Sequence, residues 1–291
     1  MLHIITGGDN LKKKKNAKKF KKILSVFDGA GIEYAVHLTA DKADVIKTAG
    51  ELTAGSGNTV VAVGGDGTLH DVLNGFENFE GNFLGLIPFG TGNDFAAAAH
   101  IPVNVKKAAA IIAKGNSGFV DFIQFSSGLR SINAAGMGID VDVLERAYAG
   151  KNQKKSKYLK AALTSLRKYK SAEFVAEYNG KREKHFGLIA AVGNGRQIGG
   201  GIKVFPESKI DDGYLNLVIV DYLSRFGTVK AFIKLMLGKI NKVKNVTAVT
   251  TKEVKFYSLS ENYTIQADGE LYPNTPIEAR IAENKLRFIL P

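Results

Sequence analysis

The chain has 291 residues, of which 45% are hydrophobic and 23% are charged, a composition typical of a folded protein with one large or two smaller domains. It has no cysteine, which excludes disulfide bonds and thiolate metal sites, and no apolar run approaches the ~18 residues that span a bilayer. The formal net charge of +12 predicts an anionic partner, and charge alone leaves nucleic acid, a nucleotide and an acidic lipid surface open.

The first predicted elements are a strand over residues 2–6 and a lysine-rich helix over residues 11–24. In the helix, Phe20 and Ile23 follow helical spacing while the lysines occupy the remaining faces. Lysines in a first turn oppose the helix dipole, so that a nearby anion would stabilise them. We interpret these lysines either as a solvated face or as a surface for phosphates or anionic lipid.

The rest of the first part alternates strand and helix patterns. Strands are predicted over residues 32–39, 59–63 and 83–89, and helices from Asp41 to about Leu52 and from Leu69. Such alternation predicts βαβ units, that is, a parallel sheet with helices on both sides. Sheets of this kind bind ligands at the carboxyl ends of their strands. The turns GGDGT (64–68) and GTGND (90–94) both lie at predicted strand ends.

From about Gly118 strand patterns dominate the chain. We predict strands over residues 119–125, 131–136, 173–178, 186–192, 214–220, 264–268 and 277–281, and helices around 140–149, 156–170 and 224–237. This pattern predicts a second, mostly antiparallel β domain. The predicted fold class is therefore an α/β N-terminal domain with a parallel sheet, followed by a mostly antiparallel β-sandwich domain.

The turn GGDGT indicates a phosphate site that does not use a P-loop lysine. The sequence contains neither GxxxxGK[ST] nor a complete GxGxxG motif. Glycines let the backbone approach a phosphate, and the helix start that follows adds N–H groups and a positive dipole end. Asp66 could hold a Mg²⁺ ion, which uses one or two carboxylates and keeps water and phosphate as its other ligands. A plain tight turn is the alternative.

The second turn, GTGNDF at residues 90–95, repeats this composition one βα unit later. It offers the hydroxyl group of Thr91, and Asn93 or Asp94 could cap a helix. Two such turns in one sheet favour a nucleotide-binding site over two unrelated turns.

Four segments resemble, in order, motifs of one known family. They are GGDGTLHDVLNGF (64–76), LGLIPFGTGNDFA (84–96), VFPESKIDDGYLNLVIV (204–220) and TIQADGELYPNTPIEARI (264–281). They resemble the diacylglycerol kinase and sphingosine kinase catalytic-domain superfamily, most closely its soluble bacterial diacylglycerol kinase-like lipid kinases. The resemblance implies an ATP-binding α/β domain over residues 1–119, a β-sandwich lipid-substrate domain over residues 120–291, and an ATP site in the cleft between them.

The resemblance also implies which residues meet the nucleotide. The implied contacts are Gly64, Gly65, Asp66, Gly67, Thr68, Leu69, His70, Thr91, Asn93 and Asp94, with Thr39 as a further contact. Within this set, Asp66 and Asp94 would organise the catalytic Mg²⁺.

Two further roles in the second domain are implied by the same resemblance. Glu270 would accept the proton of the lipid hydroxyl group, with Asp268 as the competing candidate. A structural Mg²⁺ ion would use Asp212 and main-chain oxygens near Lys209 and Tyr214.

Plain turns and departures from the family pattern leave some of these roles open. Asp268-Gly269 and the Asp-Asp-Gly run at residues 211–213 are also typical turn sequences. The loop ITGGDN (5–10) stands where relatives carry an Asn-Pro-x-Ser-Gly-like phosphate loop, and Asp71 stands where glutamate is usual. Whether this first loop binds phosphate is left open.

We therefore expect an ATP-dependent lipid kinase acting on diacylglycerol or a related lipid. NAD kinase, which has a similar nucleotide turn, and a non-catalytic nucleotide-binding regulatory protein are the alternatives. No basic motif with interleaved aromatic residues is present, so we expect no specific nucleic-acid partner. The N-terminus lacks an export signal, and we expect a cytoplasmic protein in peripheral contact with the anionic inner membrane surface, with a homodimer as a further expectation.

Overall fold

The computed structural model describes residues 1–149, 161–162, 164–166, 168–258 and 263–291 of the chain. The chain divides into two compact units, one formed by Met1–Asp121 with Glu283–Pro291 and the other by Phe122–Ala282. The predicted ranges of 1–119 and 120–291 differ from this division chiefly in the last nine residues, which belong to the first unit.

The first unit contains six helices and a six-stranded sheet. Its elements are β1 (Leu2–Gly7), α1 (Gly8–Lys12), α2 (Lys14–Gly29), β2 (Tyr34–Thr39), α3 (Lys42–Thr53), β3 (Thr59–Gly64), α4 (Asp66–Gly75), β4 (Phe83–Pro88), α5 (Asp94–Ala98), α6 (Val105–Lys114), β5 (Ser117–Val120) and a C-terminal strand (Leu286–Ile289).

The sheet has the order β2-β1-β3-β4, then the C-terminal strand and β5. Strands β1 to β4 are parallel, and the C-terminal strand is parallel to β4 and antiparallel to β5. Residues 60–63 of β3 are fully buried, as expected for an apolar run in a parallel strand covered on both faces. The α/β architecture predicted for this part is confirmed.

The lysine-rich segment forms two helices instead of one. Lys13 is extended and separates α1 from α2. Phe20, Ile23 and Phe27 are buried on one side of α2, which confirms the predicted apolar face, and most of its lysines are exposed.

Three predicted boundaries were wrong. The predicted strand over residues 131–136 is two short strands, Arg130–Ser131 and Ala134–Gly138. Helix α4 begins at Asp66, three residues before the predicted start at Leu69, so that most of GGDGT lies in its first turn. The predicted strand over residues 119–125 is two strands, because β5 joins the sheet of the first unit and Ile123–Phe125 joins the sheet of the second. A largely apolar, strand-like pattern carries no signal for such a change of sheet.

The second unit consists mainly of antiparallel strands. They are β6 (Ile123–Phe125), β7 (Arg130–Ser131), β8 (Ala134–Gly138), β9 (Ala172–Tyr178), β10 (Lys181–Gly193), β11 (Leu215–Asp221), β12 (Val246–Thr251), β13 (Glu253–Ser258), β14 (Thr264–Ala267), β15 (Glu270–Pro273) and β16 (Ile277–Ile281). Its helices include α7 (Ile139–Tyr148) and α8 (Arg225–Met236). The predicted helix over residues 156–170 lies partly outside the described residues, and within it residues 161–162, 164–166 and 168 are helical.

The long strand β10 organises this second sheet. Its first half pairs with β9, and its second half pairs with β8 on one side and β11 on the other. Buried side chains from most of the strands, among them Phe174, Val192 and Phe256, form one apolar cluster. The predicted antiparallel β-sandwich is confirmed. In the described part of the chain, no helix has the length and apolar character needed to cross a membrane.

Candidate functional site

The predicted nucleotide residues of the first unit lie along one edge of its sheet. Strands β1 to β4 run in the same direction, so their carboxyl ends share an edge. Thr39 at the end of β2 is paired in register with Gly7, and Gly64 at the end of β3 is paired with Pro88. The turns after β3 and β4 therefore emerge side by side.

The first turn requires glycine for steric reasons. A Cβ atom at Gly64 would lie 2.2 Å from Oγ1 of Thr68, so this threonine packs directly on the glycine backbone. Gly65 has no side chain and occupies the N-cap position of α4. The start of this ten-residue helix therefore presents main-chain N–H groups and the positive end of its dipole at the sheet edge.

The two glycine-rich turns are in direct contact. A Cβ atom at Gly90 would lie 2.5 Å from Cα of Gly65, so only glycine allows this approach. Asp66 connects the turns as well, because its Oδ1 atom accepts a hydrogen bond from the N–H of Phe95 at 3.2 Å. The sequence predicted two similar turns, and the structure brings them together.

Two carboxylates border Gly92 in the second turn. A Cβ atom at this glycine would lie 2.7 Å from Oδ2 of Asp66 and 3.6 Å from Oδ2 of Asp94. Asp66 is half-buried and Asp94 is buried. A pair of carboxylates beside a glycine-rich turn is a donor set that Mg²⁺ uses in proteins.

Asn93 closes the second turn. It occupies the N-cap position of α5 in a left-handed conformation with φ of 55°, which asparagine tolerates. Its side chain does not cap the helix but bonds to Gly90, accepting from the main-chain N–H at 3.2 Å and donating to the carbonyl oxygen at 3.0 Å. The amide group of Asn93 thus closes the turn that carries Thr91 by bonding to the main chain of Gly90.

The side chains of three other predicted contacts are directed into the protein. Leu69 and His70 are fully buried, and Thr39 is 3% exposed with its hydroxyl group donating to the carbonyl oxygen of Thr6 at 3.3 Å. Contacts of these residues with a nucleotide remain predictions. Gly67 and Thr68 are half-buried in the first turn of α4.

The predicted catalytic residues of the second unit lie on the β14–β15 hairpin. Ala267 pairs with Glu270 across a two-residue turn in which Asp268 (φ of 52°) and Gly269 (φ of 90°) are both left-handed. Two positive φ angles in a two-residue hairpin turn are typical of type I′, for which Asp-Gly is a preferred sequence. The interpretation of Asp268-Gly269 as a hairpin turn is confirmed.

Asp268 binds the loop between β7 and β8. Its carboxylate accepts hydrogen bonds from Oγ of Ser131 at 2.6 Å and from the main-chain N–H groups of Ile132, Asn133 and Ala134 at 2.9 to 3.1 Å. The residue is 8% exposed. A proton on this carboxyl group would remove at least one acceptor position, so the geometry suits an anchor better than a proton acceptor.

Glu270 has the opposite surroundings. It is half-buried as the first residue of β15, and its carboxylate makes no hydrogen bond or ion pair with the part of the chain that the structure describes. A carboxylate with accessible oxygen atoms can receive a proton from a bound hydroxyl group.

Three residues that the sequence did not predict hold the hairpin turn in place. Gln266 accepts a hydrogen bond from the N–H of Gly269 at 3.1 Å and donates one to Oδ2 of Asp140 at 3.2 Å. The hydroxyl group of Tyr148 donates to the carbonyl oxygen of Gly269. Asp140 and Tyr148 lie at the two ends of α7, more than a hundred residues from the hairpin, so no local motif could have indicated them.

Asp140 is a buried acid in this network. Burial away from water raises the pKa of its carboxyl group to about 6, and the hydrogen bonds from Gln266 and the main chain oppose this rise only in part. The group is therefore largely neutral in weakly acidic solution and charged at higher pH.

The predicted structural metal site lies in the loop before β11. The carboxylate of Asp212 accepts a hydrogen bond from the N–H of Tyr214 at 3.1 Å, and both residues are exposed, as is Lys209. Among the described residues, no three acidic or histidine side chains come together as a metal cluster. One carboxylate with main-chain oxygens is within the range that Mg²⁺ uses, so these residues fit the predicted site with a single charged ligand.

Two family models match the chain. The model of the diacylglycerol kinase catalytic domain matches residues 6–125, and the model of the YegS C-terminal NAD kinase beta sandwich-like domain matches residues 133–290.

Named relatives align with most of the chain. A protein of Xanthomonas euvesicatoria named "Probable lipid kinase YegS-like" is 31% identical over 275 residues, covering 90% of this chain and 88% of that protein. A diacylglycerol kinase of Bacillus subtilis is 29% identical over 280 residues, covering 94% of this chain and 91% of that protein.

Solved structures share the fold. A diacylglycerol kinase of Bacillus anthracis superposes with a TM-score of 0.76 at 22% identity, covering 100% of this chain and 96% of that one. An NAD kinase of Archaeoglobus fulgidus in complex with ATP superposes with a TM-score of 0.53 at 12% identity, covering 99% of this chain and 93% of that one.

Proposed function

Because the chain belongs to the diacylglycerol kinase-like lipid kinase family, we propose that it transfers the γ-phosphoryl group of ATP to the hydroxyl group of diacylglycerol or a related lipid alcohol. The family membership confirms the resemblance of the sequence motifs, and the enzyme class is that of a phosphotransferase with an alcohol group as acceptor. The observation that supports ATP-dependent transfer most directly is the contact of the two glycine-rich turns around Asp66.

In this proposal the first unit binds the nucleotide. The main chain of residues 64–68 and the N-terminus of α4 would hold the phosphates, with Thr91 and Asn93 shaping the second turn. Asp66 and Asp94 would hold Mg²⁺, which neutralises charge on the phosphate oxygens when it is bound.

The second unit supplies the proton acceptor. Glu270 would take the proton of the attacking lipid hydroxyl group, because its carboxylate is the accessible one of the two candidates. Asp268 would position the hairpin through its four hydrogen bonds to the β7–β8 loop.

The test is transfer of radiolabelled γ-phosphate from ATP in the presence of Mg²⁺. Detergent-dispersed diacylglycerol, other lipid alcohols and soluble NAD serve as parallel acceptors. We expect label in a lipid product and a loss of more than ~10²-fold in Asp66→Ala, because a ligand of the charge-neutralising Mg²⁺ is removed. ATP bound with no label in any acceptor would contradict the proposal and favour a non-catalytic nucleotide-binding protein.

NAD is included because the NAD kinase alternative has its own support. The matched C-terminal family model is named for an NAD kinase beta sandwich-like domain. Label in NAD and in no lipid would replace the lipid kinase proposal by this alternative.

Matched variants separate the two carboxylates of the hairpin. We expect Glu270→Gln to lower kcat about 10²-fold or more while changing the free energy of unfolding by less than ~0.5 kcal/mol. Asp268→Asn would lower the free energy of unfolding by roughly 2–4 kcal/mol, since an amide group would face main-chain N–H donors. Normal turnover in Glu270→Gln, with transfer lost in a stably folded Asp268→Asn, would reverse the assignment.

Further expected features belong to the same proposal. Asp212, with main-chain oxygens of Lys209 and Tyr214, would hold a structural Mg²⁺. A rise in unfolding temperature on addition of Mg²⁺ that Asp212→Asn abolishes would support this site.

The net charge of +12 supports peripheral contact with an anionic membrane, which we expect on the cytoplasmic side. Light scattering tests the expected homodimer.

A further inference from the structure

An exposed apolar stripe runs along α8 in the second unit. The side chains of Phe226 (85% exposed), Val229 (55%), Ile233 (54%) and Leu237 (62%) all face solvent. Their spacing of three to four residues places them on one side of the helix, and Met236 continues the same side at 40% exposure. Scattered apolar side chains on a surface need no explanation, but a contiguous row of this length indicates an interaction surface.

Two aromatic rings extend this stripe at the start of the helix. Tyr222, 56% exposed, stacks on Phe186, 49% exposed, with ring centroids 5.8 Å apart. Tyr222 follows β11 directly and precedes α8 by three residues. The apolar surface thus ends in rings of the kind that are enriched at membrane–water interfaces.

The opposite side of α8 is anchored in the protein. Ala231 and Thr228 are buried, and Leu235 packs with Ile240 and Val218 in a small apolar cluster. The helix therefore has a fixed orientation, and its exposed stripe is a stable feature of the second unit.

The charge of the chain segment that carries the stripe has one sign. The connection between β11 and β12, residues 222–245, contains six lysine or arginine residues and no aspartate or glutamate. Lys230, Lys239, Lys242 and Lys244 are exposed, and Lys234 donates to the carbonyl oxygen of Lys242. The same single-sign charge on a second copy of the chain would repel this surface, whereas anionic lipid headgroups would attract it.

We propose that residues 222–245, with Phe186, form the docking surface of this protein for an anionic phospholipid bilayer. The apolar stripe would enter the boundary between headgroups and acyl chains, while the flanking lysines reach lipid phosphates. The inference deepens the proposed function by naming the surface that meets the lipid phase, but it concerns binding only and needs neither ATP nor turnover.

The lysine-rich helix α2 is the competing surface, and it differs in one respect. Phe20, Ile23 and Phe27 are buried and Leu24 and Val26 are half-buried, so the helix offers positive charge with little exposed apolar area. Binding through α2 alone would disappear at high salt, whereas binding through α8 would persist in part because apolar burial is not screened.

The experiment is sedimentation with vesicles of equal parts phosphatidylglycerol and phosphatidylcholine, without nucleotide. We expect the wild type to bind, and the double variant Phe226→Ser with Ile233→Ser to partition at least about tenfold more weakly. Val103→Ser, which removes a side chain of 72% exposure in the first unit, is the matched control and is expected to bind like the wild type. Circular dichroism checks that each variant is folded.

Three results would overturn the proposal. They are equal vesicle binding by the folded double variant, no vesicle binding by the wild type, and a wild-type dimer that the double variant breaks while vesicle binding is unchanged. Failure of the kinase proposal would appear only in the transfer assay, and failure of this one only in the vesicle assay.

Discussion

At the residue scale, the contact between the two turns depends on glycines that leave no space for a side chain. Gly90 is the clearest case, because a Cβ atom there would meet the backbone of Gly65 instead of a flexible side chain. Backbone cannot rotate away as a side chain can, so the turns themselves would have to separate.

We therefore expect Gly90→Ala to weaken ATP binding at least about tenfold and to lower the free energy of unfolding by ~1–3 kcal/mol, the usual cost of overpacking. Gly29→Ala is the matched control, since a Cβ atom there meets nothing within 4 Å and alanine is the better helix former. Isothermal titration calorimetry and urea denaturation measure the two quantities. Wild-type ATP affinity in Gly90→Ala would show that the contact of the turns is not needed for binding.

Asp140 leads to a prediction of pH dependence. Its pKa is about 6 in the folded protein and near 3.8 when unfolded, so the folded state holds the proton more tightly. Stability from this group is full below about pH 4, is lost as the pH rises towards 6, and is absent above it. Over this pH range the free energy of unfolding decreases by roughly 3 kcal/mol through this group.

Asp140→Asn removes this ionisation and keeps an acceptor for Gln266. We expect the variant to be more stable than the wild type at pH 8, by up to roughly 3 kcal/mol, and equally stable near pH 4. Asp142→Asn is the control on the same helix. Desolvation would raise the pKa of Asp142, but the hydrogen bonds and the positive charge of Arg146 lower it overall, so this variant loses stability at neutral pH. Urea denaturation at pH 4 and pH 8 measures the free energy of unfolding of each variant. Equal stability of Asp140→Asn and wild type at pH 8 would contradict the prediction.

The candidate site shows which residues a sequence can indicate. The glycines and aspartates of the two turns follow predicted strands directly, and the rule that ligands bind at carboxyl ends of strands was enough to place them on one edge. Asp140, Tyr148 and Gln266 are joined only by the folding of distant segments. Asp268 and Glu270 were assigned different roles because Asp268 is buried and Glu270 is half-buried. The sequence around two acidic residues so close together does not show which of them is buried.

At the element scale, the sequence predicted helices and strands with a regular apolar pattern well. It did not predict which sheet a strand joins. The strands of the parallel sheet have apolar runs bounded by turn residues, which is why their positions were recognised. The segment 119–125 changes sheets within a largely apolar, strand-like pattern, and the C-terminal strand, which was not predicted, is recognisable only by its place between β4 and β5.

The C-terminal strand is predicted to be essential for the first unit. Phe288 is fully buried and meets Phe95 edge-on with ring centroids 5.3 Å apart. We expect Phe288→Ala to lower the free energy of unfolding by ~3–5 kcal/mol through loss of burial and a residual cavity. Arg287→Ala, one position along, removes contacts with the rings of Phe83 and Phe119 near the surface and is expected to cost less than ~1 kcal/mol. Urea denaturation compares them; similar costs would mean that the strand contributes little to the core.

At the scale of the whole molecule, the positive charge is distributed over two surfaces of different chemistry. In α2 the lysines cover a helix whose two phenylalanines and Ile23 are buried, while in α8 lysines flank apolar side chains that are exposed. Composition alone predicted an anionic partner, but it could not separate these surfaces because side-chain exposure depends on the fold.

Replacing Lys14, Lys15, Lys18 and Lys22 of α2 by glutamine tests the contribution of net charge. The change removes four charges from the formal total of +12, so we expect weaker binding to anionic vesicles at low ionic strength. At ~0.5 M salt, where exposed charges are screened beyond about 4 Å, the variant and the wild type should bind equally, because the apolar stripe of α8 remains. Sedimentation with vesicles across a salt series measures binding at low and at high ionic strength. A deficit that persists at high salt would mean that α2 contacts the bilayer through more than long-range charge.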